Sequence, residues 1–163
     1  MTQPNIIVAL DYPEASQARE IVARLDPAMC KLKIGKQLFC AAGPELVKEF
    51  VGQGYKLFLD LKFHDIPNTV YGACRAACDL GVWMVNVHCL GGKKMLEAAA
   101  RAIDDANCET VVTGVTILTS MNNDGLVDII ILVDGGSNIK VYLYHNQGGM
   151  AFESQKLSQS HYH

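Results

Sequence analysis

FLDLKFHDIPNTV, residues 58–70, joins the end of an apolar run to a cluster of charged side chains. The run at residues 55–59 predicts a buried strand, and Asp60, Lys62 and Asp65 lie at its carboxyl end. Removing a carboxylate and an ammonium from water costs several kcal/mol per ion, and good geometry only roughly offsets that cost. The Asp-x-Lys-x-x-Asp pattern therefore favours a charge network kept for chemistry. The alternative is a solvated strand end with an incidental salt bridge, which stabilises little.

Length and composition indicate one globular domain. The chain has 163 residues, 50% of them hydrophobic, which is enough for a real core. The net charge of -3 argues against a disordered chain and against a basic surface that binds nucleic acid. No apolar run is long enough to cross a bilayer, and the first residues lack a basic segment followed by a long apolar one. We therefore expect a cytoplasmic protein with no nucleic-acid or membrane partner.

The cysteines fit a reducing compartment. Six cysteines are spread through predicted helices and strands, and no Cys-x-x-Cys pair occurs. Cys74 and Cys78 would share a helix face one turn apart, which permits a two-ligand metal site. Small apolar packing is the favoured interpretation of this pair, because no histidine or carboxylate nearby completes a tetrahedron.

Apolar stretches alternate with amphipathic ones along the first 120 residues. The predicted strands span residues 5–10, 29–34, 55–62, 83–88 and 110–118. The predicted helices span residues 14–25, 45–51, about 69–80 and about 94–104. The strands are apolar throughout, which is typical of parallel strands covered by helices, in a barrel or in a doubly wound sheet.

Polar residues recur where the predicted strands end, which is where both architectures place their functional sites. These residues are Asp11, Lys33, Asp60, Lys62, Asp65, Asn86, His88, Thr119 and Ser120. No Gly-x-Gly-x-x-Gly follows the first strand, and the glycines at residues 91–92 lack the spacing of a phosphate loop. The barrel is therefore the favoured architecture.

The character of the chain changes after Met121. Short apolar runs at residues 127–133, 139–145 and 150–152 are joined by glycine-rich turns, which predicts an antiparallel β meander without a helix. We therefore divide the chain into a partial barrel at 1–121, a meander at 122–154 that packs on or caps the barrel, and a disordered tail at 155–163.

Residues 5–121 resemble the amino-terminal part of the orotidine 5'-monophosphate decarboxylase family, especially its bacterial branch. The likeness lies in the motifs VALDYP, KLKIGKQLF, FLDLKFHDIPNTV, WMVNVH and VTILTSM. It implies a partial (β/α)8 barrel, a nucleotide substrate, conversion of orotidylate to UMP and carbon dioxide in pyrimidine biosynthesis, and a homodimer. It implies no metal or organic cofactor.

The resemblance also implies a role for each charged residue. Asp11 would touch the ribose, and Lys33 would bridge the ribose and the charged network. Asp60 would lie against the substrate carboxylate, and Lys62 would protonate C6 as carbon dioxide leaves. This role for Lys62 is consistent with the chemistry, because the departing carbon dioxide leaves negative charge on a ring carbon that a preorganised ammonium can neutralise.

Five further residues take roles from the resemblance alone. Asp65, Ile66 and Thr69 would reach into the active site of the neighbouring subunit. Thr119 and Ser120 would lie beside the pyrimidine.

Two histidines near the motif receive structural roles. His64 lies inside the motif, but packing and hydrogen bonding are favoured over a general base, because Lys62 already supplies the proton. We assign His88 to structure, with a supporting hydrogen bond.

The resemblance by motif ends at Met121. Members of the family continue for roughly another hundred residues and complete a barrel of ~250 residues. Those residues carry the phosphate grip, including a lid-loop glutamine and an arginine, and this chain has no arginine after Arg101. We therefore expect weak or absent turnover. The alternative is a non-catalytic half-barrel that is chimeric or truncated.

Residues 122–153 instead resemble part of a calcium-binding propeller repeat of the FG-GAP or VCBS type. The candidate calcium ligands are Asn122, Asp124 and Asp128, with Ser120 in the place of the usual first aspartate. A plain β-turn is favoured over a calcium site because that first ligand is weakened. A third hypothesis is therefore a calcium-dependent interaction module.

Overall fold

A computed structural model describes the backbone of residues 6–116, 128–133, 139–146 and 152–156, and the side chains of residues 6–116. Strands and helices alternate in the first of these ranges. The strands are β1 (Ile7–Ala9), β2 (Lys31–Gly35), β3 (Leu57–Phe63), β4 (Met84–His88) and β5 (Val111–Val115). The helices are α1 (Ala15–Val22), α2 (Lys36–Gly52), α3 (Pro67–Asp79) and α4 (Lys93–Ala106), with a short 3₁₀ turn at Cys89–Gly91.

The first five strands form a parallel sheet in sequential order. Each strand pairs with the next one along the chain, from β1 to β5. A doubly wound sheet reverses its strand order at a switch point, whereas a barrel adds each strand beside the previous one. The sequential order agrees with part of a (β/α)8 barrel, and the predicted α/β class is confirmed.

The hydrophobic core lies between the sheet and the helices. On β2, Leu32 and Ile34 are fully buried, whereas Lys33 between them is only partly buried. Successive side chains of a strand point to opposite faces. Lys33 therefore faces away from the helix layer, while Phe50 of α2 packs in the core on the other face. The sheet face that is turned away from the helices is free to carry polar side chains.

Helix α2 differs from the prediction. A helix was expected only after Pro44, but α2 begins at Lys36 and contains one residue with non-helical backbone angles, Gly43, with φ 70° and ψ -173°. The element is therefore two helical segments joined at a kink. Pro44 suits the first turn of the second segment, where its missing N–H costs no hydrogen bond. The sequence does not predict the first segment, because a Gly-Pro pair is a strong signal for a helix boundary.

Three more strands extend the sheet beyond β5: β6 (Asp128–Val133), β7 (Ile139–Asn146) and β8 (Phe152–Lys156). Their backbones pair antiparallel, β6 with β5, β7 with β6 and β8 with β7. Strand β8 reaches into the segment 155–163 that the sequence assigned to a disordered tail. Packing of the meander, residues 122–154, on the half-barrel stays a prediction, since its side chains lie outside the described residues.

The candidate calcium ligands also lie beyond what the structure describes. Asn122 and Asp124 fall outside the described residues, and Asp128 is described only as the first backbone position of β6. Among the described side chains, no group of three or more histidine, cysteine, aspartate or glutamate residues could hold a metal ion.

Cys74 and Cys78 are both buried in α3. Burial raises the pKa of each thiol to about 12, so both are protonated at neutral pH. Protonated, buried thiols pack as small apolar groups.

None of the helices found in residues 6–116 is both long enough and apolar enough to cross a membrane.

Candidate active site

The carboxyl end of β3 departs from regular strand geometry. Its pairing with β4 shifts register between Leu59 and Phe63, which is the signature of a bulge. Inside that interval Lys62 has φ 52°, in the left-handed region that non-glycine residues seldom adopt. Such conformations cost roughly 1–3 kcal/mol and persist where the surrounding structure holds them, often at functional sites. The bulge therefore directs the Lys62 side chain differently from a regular strand.

Asp60 is the centre of the site. Its Oδ1 accepts hydrogen bonds from Nζ of Lys62 at 2.5 Å and from Nδ2 of Asn86 at 2.7 Å. Its Oδ2 lies 3.5 Å from Nζ of Lys33. The Asp60 side chain is only 14% exposed, so these contacts form in a partly desolvated place. Both oxygens of the carboxylate therefore have cationic partners.

The ion pairs continue from Lys33 to Asp11. Nζ of Lys33 lies 3.0 Å from Oδ1 of Asp11, which follows β1 and is 68% exposed. Asp11, Lys33, Asp60 and Lys62 thus form a run of alternating charges across β1, β2 and β3. Two ammonium groups balance two carboxylates, so the run is neutral when all four are ionised. The sequence predicts these four residues at one edge of the sheet, and the structure brings them together.

The pKa of Asp60 reflects opposing causes. Burial alone would raise the pKa of this carboxyl group. Hydrogen bonds from Lys62 and Asn86, with the charges of Lys62 and Lys33, outweigh burial and lower the pKa. Asp60 is therefore ionised at neutral pH and holds both ammonium groups.

Asn86 belongs to this cluster, although the sequence predicts only its place near a strand end and no chemical role. It lies in β4 and is 2% exposed. Its Oδ1 accepts a hydrogen bond from the backbone N–H of Lys62 at 2.7 Å, in addition to the bond that its Nδ2 donates to Asp60. The signal in the sequence was a lone amide within the apolar stretch WMVNVH, residues 83–88.

Asp65, Ile66 and Thr69 lie apart from the run of charges. Oδ1 of Asp65 accepts a hydrogen bond from the backbone N–H of Ile66 at 2.6 Å, at the start of α3. Ile66 is 67% exposed, and Thr69 is exposed in the first turn of the helix. Among the side chains of residues 6–116, no ion pair joins Asp65 to Lys33 or Lys62 within 4.0 Å. Thr119 and Ser120 lie outside the described residues.

The histidines of the motif and of β4 contact each other. The rings of His64 and His88 stack with centroids 4.9 Å apart and planes 19° apart. Nδ1 of His88 accepts a hydrogen bond from the backbone N–H of Leu90 at 3.4 Å. Burial lowers the pKa of His88, and the charges of His64 and Lys36 lower it further. The stack connects the end of β3 to the end of β4 beside a shallow depression that exposes Ile66 and Leu90.

Comparison with known proteins gives the same family as the motifs. The family described as "Orotidine 5'-phosphate decarboxylase / HUMPS family" matches residues 4–152. This match extends beyond Met121, where the resemblance by motif ends. The likeness of residues 122–153 to a propeller repeat stays a prediction.

Curated relatives and a solved structure agree with this match. The orotidine 5'-phosphate decarboxylases of Halorhodospira halophila and Hydrogenovibrio crunogenus are 58% and 54% identical over 126 residues, which is 77% of this chain and 53% of each relative. The chain thus spans about half the length of these relatives. The crystal structure of orotidine 5'-phosphate decarboxylase from Lactobacillus acidophilus superposes with a TM-score of 0.68 and 38% identity, over 76% of this chain and 57% of that one. The chain belongs to the orotidine 5'-phosphate decarboxylase / HUMPS family.

Proposed function

We propose that this chain carries a site for the decarboxylation of orotidine 5'-phosphate to UMP and carbon dioxide. The observation that carries the proposal is the run of alternating charges from Asp11 through Lys33 and Asp60 to Lys62. Identity of 58% to the Halorhodospira halophila decarboxylase over the matched part supports the same substrate.

The chemical step needs a proton donor at C6 of the pyrimidine. The bond between C6 and the carboxyl carbon breaks, the electron pair stays on C6, and carbon dioxide leaves. The Lys62 ammonium donates a proton to C6 and is reprotonated from solvent after the product departs. A cation that is already in position stabilises the developing negative charge without reorganisation at the moment of reaction. Asp60, 2.5 Å from Nζ of Lys62, holds that cation in position.

The other residues of the site bind and orient the nucleotide. Asp60 lies against the substrate carboxylate, and repulsion between the two anions favours loss of carbon dioxide. Asp11 and Lys33 contact the ribose, as the family resemblance implies, and Asp11 is the exposed end of the run of charges, at 68%. Thr119 and Ser120 are the candidates for contact with the pyrimidine, as the family resemblance implies.

The active form is a homodimer in which Asp65, Ile66 and Thr69 complete the site of the partner. The exposure of Ile66 and of Leu90, at 67% and 75%, supports this role, because exposed apolar side chains near one another favour an interface. The carboxylate of Asp65 is exposed and so is available to a second chain.

Turnover is expected to be slow. The phosphate grip of the family lies in residues that the matched half does not include, and this chain has no arginine after Arg101. Binding energy from a remote phosphate raises the rate when it is realised in the transition state. Losing about three charge-assisted hydrogen bonds of roughly 1.5–3 kcal/mol each lowers the rate by about 10³- to 10⁶-fold.

Formation of UMP from orotidine 5'-phosphate, followed by chromatography at high protein concentration, tests the proposal. Lys62→Met is expected to abolish product formation. Lys48→Met is the matched control, because Lys48 is an exposed lysine that pairs with Glu45 on α2, away from the site. Turnover per chain is expected to rise with protein concentration, because a partner supplies Asp65.

A second substrate, which lacks the phosphate, measures how much the phosphate contributes to the rate. The nucleoside orotidine is expected to react at a rate within about tenfold of the nucleotide, because none of the residues described in the range 6–116 is assigned to the phosphate. Product formation that is equal in Lys62→Met and in the unmodified chain would contradict the proposal. A folded chain that forms no UMP would favour the non-catalytic half-barrel.

A further inference from the structure

Asn86 is a buried amide with two polar partners, and both partners belong to the candidate site. Its neighbours on β4, Val85 and Val87, are 0% and 1% exposed, so the amide lies in an apolar strand. A buried amide is costly unless its donor and its acceptor are both satisfied. Here Oδ1 accepts from the backbone of Lys62, and Nδ2 donates to the carboxylate of Asp60.

The first of these bonds holds an unusual backbone. The register shift between Leu59 and Phe63 interrupts the regular ladder between β3 and β4 at Lys62. A bulged residue is left without a ladder partner. Oδ1 of Asn86, 2.7 Å from the N–H of Lys62, supplies the missing acceptor from a side chain. It therefore supports the left-handed conformation at φ 52°.

The second bond holds the carboxylate that pairs with the Lys62 ammonium. Nδ2 of Asn86 and Nζ of Lys62 both donate to Oδ1 of Asp60. One planar amide is thus bonded to the backbone of Lys62 and to the counterion of its side chain. An amide group is rigid, so it fixes the distance between those two points.

We propose that Asn86 is a positioning residue, which sets the direction of the Lys62 ammonium by holding the Lys62 backbone and the Asp60 carboxylate with one amide. This role requires a donor and an acceptor on two separate atoms of one short side chain, which among uncharged residues of this size only asparagine provides. Aspartate keeps the acceptor but brings a second carboxylate to Asp60. Leucine matches the size and keeps neither group.

Two variants and a control test the inference. Asn86→Leu removes both bonds, and Asn86→Asp keeps the acceptor for the Lys62 N–H. Thr110→Val is the control, because Thr110 is equally buried and donates one 2.7 Å bond to the carbonyl of Val82, at the opposite end of the sheet. Hydrogen exchange of the Lys62 amide is measured against the amide of Leu59 on the same strand, and NMR titration follows the pKa of Asp60.

The variants are expected to differ in a specific way. In Asn86→Leu, exchange at Lys62 rises at least tenfold relative to Leu59, and the pKa of Asp60 rises because a donor is lost. In Asn86→Asp, exchange at Lys62 stays near that of the unmodified chain, while the pKa of Asp60 rises because a like charge is added. Thr110→Val changes neither quantity. If Asn86 had a merely structural role, both variants would lower stability, and exchange at Lys62 would not differ between them in this way.

Two results would overturn the inference. One is a folded Asn86→Leu protein in which exchange at Lys62 and the pKa of Asp60 are both unchanged. If Asn86→Leu does not fold, an unchanged pKa of Asp60 in Asn86→Asp overturns it equally. The positioning role of Asn86 in catalysis rests on the proposed decarboxylase function, but neither the exchange rate of the Lys62 amide nor the pKa of Asp60 needs substrate to be measured. If the chain forms no UMP but the variants change exchange at Lys62 and the pKa of Asp60 as expected, the result counts against the decarboxylase function alone. If the chain forms UMP but the variants change neither quantity, the result counts against the positioning role of Asn86 alone.

Discussion

At the scale of single residues, Asp60 connects the groups of the site. Its two carboxylate oxygens contact Lys62, Asn86 and Lys33. The sequence could predict that the lysines and acids meet, because the carboxyl ends of parallel strands lie at the same edge of a sheet. It could not predict the left-handed backbone of Lys62, since that conformation depends on a bulge in β3 and on the side-chain amide of Asn86 in β4.

The contacts of Asp60 with Lys33 and Lys62 predict how the stability of the chain depends on pH. Asp60→Asn is expected to lower the free energy of unfolding by about 1–3 kcal/mol at neutral pH, because Lys33 and Lys62 lose their shared counterion. The pKa of Asp60 is lowered in the folded chain. Its stabilising contribution is therefore present above the ordinary aspartate pKa of about 3.9 and disappears as the pH falls through the lower folded value. Urea unfolding of both proteins over this range measures the difference.

The control for this prediction is Glu45→Gln. Glu45 forms an ion pair with Lys48 on the surface of α2 and is 78% exposed. Exposed pairs of this kind contribute about 0–1 kcal/mol, so we expect little change in stability at any pH. A stability difference for Asp60→Asn that persists unchanged below the folded-state pKa would show that the effect does not arise from ionisation.

At the scale of elements, the regular strands and helices were the most predictable features. Their apolar patterns matched the strands β1 to β5 and the helices α1, α3 and α4 to within a few residues. The first half of α2 was missed. Its residues 36–42 are good helix formers, but the Gly-Pro pair that follows them carries the stronger local signal. The fold accommodates both by continuing the helical path through a kink at Gly43.

The kink predicts opposite effects of one substitution at two positions of α2. Gly43→Ala is expected to lower the free energy of unfolding by about 1–3 kcal/mol, because φ 70° and ψ -173° is a region essentially restricted to glycine. Gly52→Ala, at the end of the same helix, is expected to raise it by about 0.4–1 kcal/mol. A Cβ at Gly52 would have nothing within 4 Å, and its backbone φ is not positive. Urea unfolding measures both, and equal effects at the two glycines would contradict this reading of the kink.

At the scale of the whole molecule, the sheet orders its parallel strands as a barrel does. The sequential order of β1 to β5 was beyond the reach of the sequence, because apolar strands pair equally well in several orders. Motifs sufficed to indicate the family, since the charged residues and their spacing are retained. The sequence does not predict how residues 117–163 add to the barrel, because their pattern lacks the alternation of strand and helix.

The central claim is that the Lys62 ammonium is held where a pyrimidine carbanion would form. Calorimetric titration tests it with a uridine 5'-phosphate analogue that carries an anionic oxygen at C6, which mimics the charge of the carbanion. We expect the unmodified chain to bind this analogue at least tenfold more tightly than UMP, because the ammonium pairs with the added charge. Lys62→Met is expected to lose that preference, while Lys48→Met keeps it. Equal affinity of the unmodified chain for the analogue and for UMP would contradict the claim.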